Sequence, residues 1–288
     1  MKEFDEILKK ETIYLKNIRT AFQYEIKNPT KIITIFGEGH DEIVDCNGFS
    51  ISVADYIKLT LKLGKKVKIF LEYDSNLNYK SAMENIQSFN LQEIIKTLDS
   101  MKEIDKIIPV DCRNYYLKPH FHRNLYYGAP ASLEYDYINH NYFEPFFRIN
   151  FSKHPNVTKE GDKILQEYIK NLYTEFTNLK DNWNNIVSPP EYKSKIPYKL
   201  EILRFLWSKV VDFYILQELF IDNDTYEYIC LIGDNHRRNI QHYISAMQKK
   251  KSYHQEVAGL NCVSINKFAY GLVPNYLLVK KFENMKKI

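Results

Sequence analysis

The chain carries no Gly-x-x-x-x-Gly-Lys, no Gly-x-Gly-x-x-Gly and no Gly-x-Ser-x-Gly. Those absences remove the commonest phosphate-loop, dinucleotide and serine-hydrolase readings. Cysteine is scarce. Cys46, Cys112, Cys230 and Cys262 are spread through the chain and form no Cys-x-x-Cys, and no dense framework suggests a secreted scaffold. Cys112, Cys230 and Cys262 fall in predicted strands and read as buried thiols. No stretch approaches the roughly 18 apolar residues of a membrane span. The opening Met1-Lys-Glu-Phe-Asp-Glu-Ile-Leu-Lys-Lys10 lacks the apolar core of a signal peptide. These features predict a soluble, cytoplasmic or otherwise intracellular protein. Excess charge is missing too: 40 basic against 36 acidic residues leave +4, so no nucleic-acid or anionic-membrane partner is expected. The run Lys249-Lys-Lys251 belongs at a predicted helix end, where cations suit the helix dipole.

What is present is an alternation of strands and helices. The first 28 residues suggest a helix, with Phe4, Ile7, Leu8 and Leu15 loosely on one face. Residues 31–37 form a β-branched run ended by glycine, a buried strand. Ser52-Val-Ala-Asp55 has capping-box spacing and opens a helix that Gly64 stops. Val67–Leu71 is a second strand ending at Glu72. A helix over 80–101, broken near Ser88, leads to a third strand, Ile107–Asp111. This order predicts an α/β fold with a mainly parallel or mixed sheet and right-handed crossovers. Residues 113–157 show aromatics, histidines and prolines without clear periodicity, and 158–185 turns helical again. A long helix over about 198–221 delivers the chain to a strand at 227–233. The following helix has Ile240, Tyr243, Ile244 and Met247 on one face. Two more strands, near 261–265 and 276–281, extend the sheet. We read residues 1–288 as one α/β domain, with 114–197 as an insertion or lid-like segment.

Two segments share one form. Lys31-Ile-Ile-Thr-Ile-Phe-Gly-Glu-Gly-His40 and Tyr228-Ile-Cys-Leu-Ile-Gly-Asp-Asn-His236 are apolar strands that end in Gly-x-x-His. Chance gives about 0.25 such matches in a chain of this composition. A histidine beyond the carboxyl end of a buried strand stands where open α/β sheets place reacting groups. Gly37 and Gly233 let the backbone turn off the strand close to a ligand. Asp234 or Asn235 caps the next helix, so His236 lies near a positive dipole end that favours the neutral ring a base or metal ligand needs. Glu72 and Asp111 terminate the other two strands. Glu38 and Asp41 flank His40, to orient the imidazole or bind a cation. Asp111 and Arg113 either face the site or pair with each other. His120-Phe-His122 has the spacing of one strand face, a weaker metal-binding candidate. Asp136, His140 and Glu144 fit one solvated helix face.

These residues resemble a superfamily that joins the TraB/Tiki proteins, erythromycin esterases and ChaN-like proteins. The matching elements are Gly37-Glu38-Gly39-His40-Asp41, Glu72 and Gly233-Asp234-Asn235-His236, in order across about 31–245. Asp111-Cys-Arg113 is similar to an acidic/Arg element after the third strand of some members, and Asp212 to an acidic position on the long helix. The segment 114–197 has no match. The resemblance implies an active centre at the strand carboxyl ends and, usually, hydrolysis. Tiki members look like metal-dependent proteases, erythromycin esterases open a lactone with histidine-activated water, and ChaN-like members are associated with haem. Tiki and ChaN proteins are membrane-tethered or exported, whereas this sequence shows no such signal.

The leading expectation is therefore a hydrolase acting on a peptide or small ester. In a metal form, His40, Glu72 and His236, with Asp111 as a further ligand, hold a divalent ion of Mn, Co or Zn type. In a metal-free form, one histidine is the base, Glu72 assists it, Glu38 orients His40, and Arg113 steadies oxyanion charge. The alternative is a non-catalytic binding protein on the same fold, holding haem or a protein partner. A purely structural role would leave the two histidine rings more than roughly 10 Å apart. Oligomeric state has no signature in the sequence.

Overall fold

The structure, a computed structural model, describes residues 13–27, 30–38, 46, 49–62, 66–86, 88–127, 132–221, 227–247, 253–256 and 262–264. The chain is α/β. It divides into two compact units, one over residues 1–72, 79–108 and 223–288, the other over 73–78 and 109–222. The segment read as an insertion, 114–197, lies within the second unit.

In the first unit, strands β1 (Ile13–Lys16), β2 (Thr20–Lys27) and β3 (Thr30–Glu38) are followed by β4 (Phe49–Ile51), helix α1 (Val53–Lys62) and β5 (Val67–Asp74). Helices α2 (Tyr79–Asn85) and α3 (Phe89–Met101) then lead to β6 (Ile107–Asp111), whose residues from Pro109 on, like Tyr73 and Asp74 at the end of β5, are counted with the second unit. After the second unit come β7 (Glu227–Gly233), α10 (Asp234–Met247), β8 (Tyr253–Glu256) and β9 (Cys262–Ser264). Six strands form one sheet in the order β6-β5-β7-β3-β2-β8; β4, β1 and β9 form a second. The centre of the large sheet is parallel, with β7 between β5 and β3. One edge is antiparallel, with β2 paired to both β3 and β8. From Tyr228 to Ile232 every side chain of β7 is buried, as is all of β3 from Lys31 onward, which is why both read as unbroken apolar runs.

The helix expected over the first 28 residues is replaced from residue 13 onward by β1 and β2. Residues 20–27 alternate Thr20, Phe22, Tyr24 and Ile26 with their neighbours at period two, and the antiparallel ladder to β3 rewards that period. Asn17 takes a left-handed φ of 63° between the two strands. The N-cap bond of the expected capping box is formed: the Asp55 amide donates to Ser52 Oγ at 3.1 Å. The break near Ser88 is an N-cap, with Ser88 Oγ accepting from the Leu91 amide at 3.3 Å. Near 261–265, β9 joins the small sheet rather than extending the large one. The strand expected at 276–281 and the run 249–251 lie outside the described residues. Cys262 is not a free thiol; it is bonded to Cys46, 216 residues away. That separation leaves no local spacing by which sequence could find the pair. Cys112 and Cys230 are buried thiols, and burial pushes both well above the ordinary thiol range.

The second unit is helical. It contains α4 (Arg113–Tyr116), α5 (Pro119–Tyr127), α6 (Tyr135–Ile138), a π-helical turn at Asn139–Phe143, α7 (Glu144–Phe147), α8 (Lys159–Asp181) and α9 (Tyr198–Leu219). The stretch read as irregular, 113–157, is thus largely short helices, each too brief to show a 3.6-residue period. Its core is aromatic: the Phe146 and Phe176 rings stack at 3.3 Å, and Trp207 meets both edge-on. Among the described residues, no helix is long and apolar enough to cross a membrane.

Candidate active site

The two Gly-x-x-His segments leave adjacent parallel strands at the same level. In the β3–β7 ladder Gly37 is opposite Ile232, and Glu38 is opposite Gly233. The carboxyl ends of β3 and β7 are therefore side by side, at the edge of the sheet where an open α/β fold places its ligands.

Gly37 has a use that the motif did not suggest. A Cβ there would come within 2.6 Å of Asp234 Oδ1 and closer still to Thr20 Oγ1. The absence of a side chain in the first motif is what lets Asp234 of the second lie over β3. Asp234 accepts the Thr20 hydroxyl and is bound by Arg237 Nη2 at 2.9 Å and Arg238 Nε at 2.8 Å. Burial alone would raise its carboxyl, but the Thr20 hydrogen bond and the two guanidiniums outweigh that and hold it below the usual carboxylate range. As the first residue of α10, it also places negative charge at the helix's positive end.

Glu72, on β5, has both oxygens committed to the second motif. Oε2 accepts the Gly233 amide at 2.6 Å, and Oε1 lies 3.2 Å from His236 Nε2. The two side chains are only 11% and 8% exposed. The helix begins at Asp234, so His236 is the third residue of its first turn rather than a residue before it. The pair is a carboxylate–imidazole dyad in a water-poor setting, where the attraction between its members is stronger than in solvent.

Glu38 is buried, and its Oε2 accepts Ser88 Oγ at 2.9 Å and Asn90 Nδ2 at 3.0 Å. It thereby ties the end of β3 to the N-terminus of α3, where a carboxylate is favoured. Gly39, His40 and Asp41 lie outside the described residues, and so does the His40–His236 separation.

Asp111 and Arg113 belong to the second unit and pair with each other. Arg113 Nε and Nη2 each donate to Asp111 at 2.7 Å, a bidentate bridge, and the guanidinium lies over the Tyr126 ring at 4.6 Å. His120 and His122 are on helix α5, not on a strand, so alternate spacing does not put them on one face. Burial, reinforced by the Arg113 charge, lowers His122 to about 4, so its ring is neutral at pH 7. His140 and Glu144 are one turn apart at 3.4 Å. Asp212 is buried and accepts the Tyr168 hydroxyl at 3.2 Å. Among the described residues, no three His, Cys, Asp or Glu side chains are grouped to hold a metal ion.

Thr20, Ser88, Asn90 and Arg237 complete the site and were not singled out from sequence as site residues; Asp234 was read only as a helix cap and a motif position. Of these, Arg237 had a local signal, as part of an i, i+3, i+4 charge set with Asp234 and Arg238 on a helix. No protein-family model, curated protein or solved structure matches this chain.

Proposed function

We propose that the chain is a hydrolase acting on a carboxyl derivative, a peptide or a small ester, with Glu72 and His236 at its centre. The observation that carries this reading is the 3.2 Å contact between His236 Nε2 and Glu72 Oε1 at the carboxyl ends of the central parallel strands. With Nε2–H donating to Glu72, Nδ1 would be the basic nitrogen of the ring and the acceptor of a proton from the attacking water. The Gly233 amide fixes the second carboxylate oxygen, so the dyad is oriented before substrate arrives. Glu38 acts by position, holding the strand end from which His40 departs two residues later. The resemblance in motif order to the TraB/Tiki, erythromycin esterase and ChaN-like superfamily supports the same reading.

The donor set also fits part of a divalent site. Adjacent ligands of a tetrahedral ion bound at about 2.0–2.1 Å stand about 3.3–3.4 Å apart, close to the 3.2 Å of the pair. His236 and Glu72 would supply two ligands and His40 the third, for an ion of Mn, Co or Zn type. Such an ion would lower the pKa of its bound water.

The test uses untagged protein purified without chelator, assayed against peptide and ester libraries and analysed for metal. Hydrolysis should fall at least about 100-fold in His236→Ala and Glu72→Gln, with unfolding midpoints close to wild type. Activity that survives His236→Ala, or no turnover of any library member, would sink the proposal. Stoichiometric metal that leaves with His236→Ala selects the metal form. An intracellular location is also part of the proposal, and the Cys46–Cys262 bond tests it. Such bonds persist in oxidising compartments, so the bond weighs against that location, and thiol trapping that finds the pair oxidised in intact cells would overturn it.

A further inference from the structure

The second unit contains a cavity of about 370 Å³ that the proposed hydrolytic centre does not use. Its size falls in the roughly 300–1,000 Å³ range of small-molecule sites. One wall is the turn from α4 into α5, with Tyr115, Tyr116, Lys118 and Phe121; the other, with Asn141 and Arg148, runs from the π-helical turn through α7. We propose that this cavity binds a small aromatic anion, a ring carrying a carboxylate or a phosphate.

Three independent features point to that chemistry. The first is charge. Lys118 has no carboxylate partner among the described residues, and Arg148 shares Glu144 with His140 at 3.2 and 3.4 Å. Two permanent cations therefore face one carboxylate, and the surplus is positive. The Arg148 side chain is 77% exposed, so its existing pairing is weak and readily exchanged for a ligand anion. The second feature is aromatic surface. Tyr115 is 71% exposed, an unusual state for a large ring, and it meets Tyr116 edge-on at 5.0 Å. Tyr116 is itself stacked on Tyr214 at 5.8 Å, which fixes its plane. Burial raises the Tyr116 phenol to about 12, so its hydroxyl remains a donor at any physiological pH. The third is the backbone. A π-helical turn is rare and recurs at functional sites, because the wider turn re-aims side chains. Here it carries His140 and Asn141 to the cavity wall.

The ring would lie against Tyr115 and Phe121, and its anionic group would meet Lys118 and Arg148 at the rim. Carboxylate and phosphate share this chemistry, and the probes separate them. The full chain is titrated with benzoate, phenyl phosphate, acetate and benzyl alcohol, followed by calorimetry and tyrosine fluorescence. Benzoate or phenyl phosphate should saturate at millimolar concentration or below, at least ten-fold tighter than acetate or benzyl alcohol. The tighter of the two names the anion. Lys118→Glu and Arg148→Glu, both at exposed positions, should each weaken that binding at least ten-fold with an unchanged circular-dichroism spectrum. No saturation by either aromatic anion below about 10 mM, equal binding of benzyl alcohol, or binding that survives both charge reversals would overturn the proposal. Hydrolysis by the Glu72–His236 centre is measured separately on the same variants, so failure of one proposal leaves the other readable.

Discussion

A methyl group at residue 37 would meet Thr20 and Asp234 at once. Gly37→Ala is therefore an overpacking change in a sheet that is closed on both faces, and we expect a loss of about 1–3 kcal/mol in chemical unfolding. A stability within about 0.5 kcal/mol of wild type would mean that Asp234 does not occupy the space over β3. Asp234 itself makes a pH-dependent contribution. Its folded pKa lies below the unfolded value, so the stability it supplies is present above about pH 4 and is lost as pH falls through the folded value. Asp234→Asn should be least stable relative to wild type near neutrality, and the gap should close in urea melts below about pH 4. A gap of constant size from pH 3 to 7 would show that the carboxylate charge is not involved. At this scale the sequence was informative about Glu72 and His236 because a strand end and a Gly-x-x-His are local patterns. It was silent on Thr20, which reaches Asp234 only through the fold, 214 positions along the chain.

Helix α3 shows how an element's start does two tasks. Ser88 caps the helix and also donates to Glu38, so Ser88→Ala removes both the acceptor for the Leu91 amide and a donor to a buried carboxylate. The expected cost is about 1–3 kcal/mol, and Ser88→Thr should recover most of it. Equal losses in both variants would indicate packing rather than hydrogen bonding. Elements with long, regular patterns were legible: α8 and α9 run 23 and 22 residues, and β3 and β7 are continuous apolar strands. The β2 strand was not, because its polar positions Thr20, Gln23 and Glu25 also suit a helix surface until the partner strand is known. The short helices α4 to α7 were missed for a different reason. One turn of helix carries too few residues for a period, and the aromatic packing that stabilises them comes from α8 and α9, far along the chain.

Across the whole molecule, the covalent link is what sequence was least able to supply. In the chain-entropy account, closing a loop of 216 residues stabilises the folded state by about 5 kcal/mol. Cys46→Ser or Cys262→Ser should lower the unfolding midpoint markedly, and reductant should do the same to wild type while leaving either variant unaffected. An identical midpoint with and without reductant would mean that the bond is absent in solution. The bond also makes most of the chain a covalent ring. His236 is inside that ring, and His40 is on the short arm six positions before it closes. One peptide cut anywhere between residues 47 and 261 opens the ring without separating its halves. A protease-nicked molecule would migrate as a single species until reduced, and only then resolve into two fragments, with the second Gly-x-x-His motif on the carboxyl-terminal piece for every cut before it.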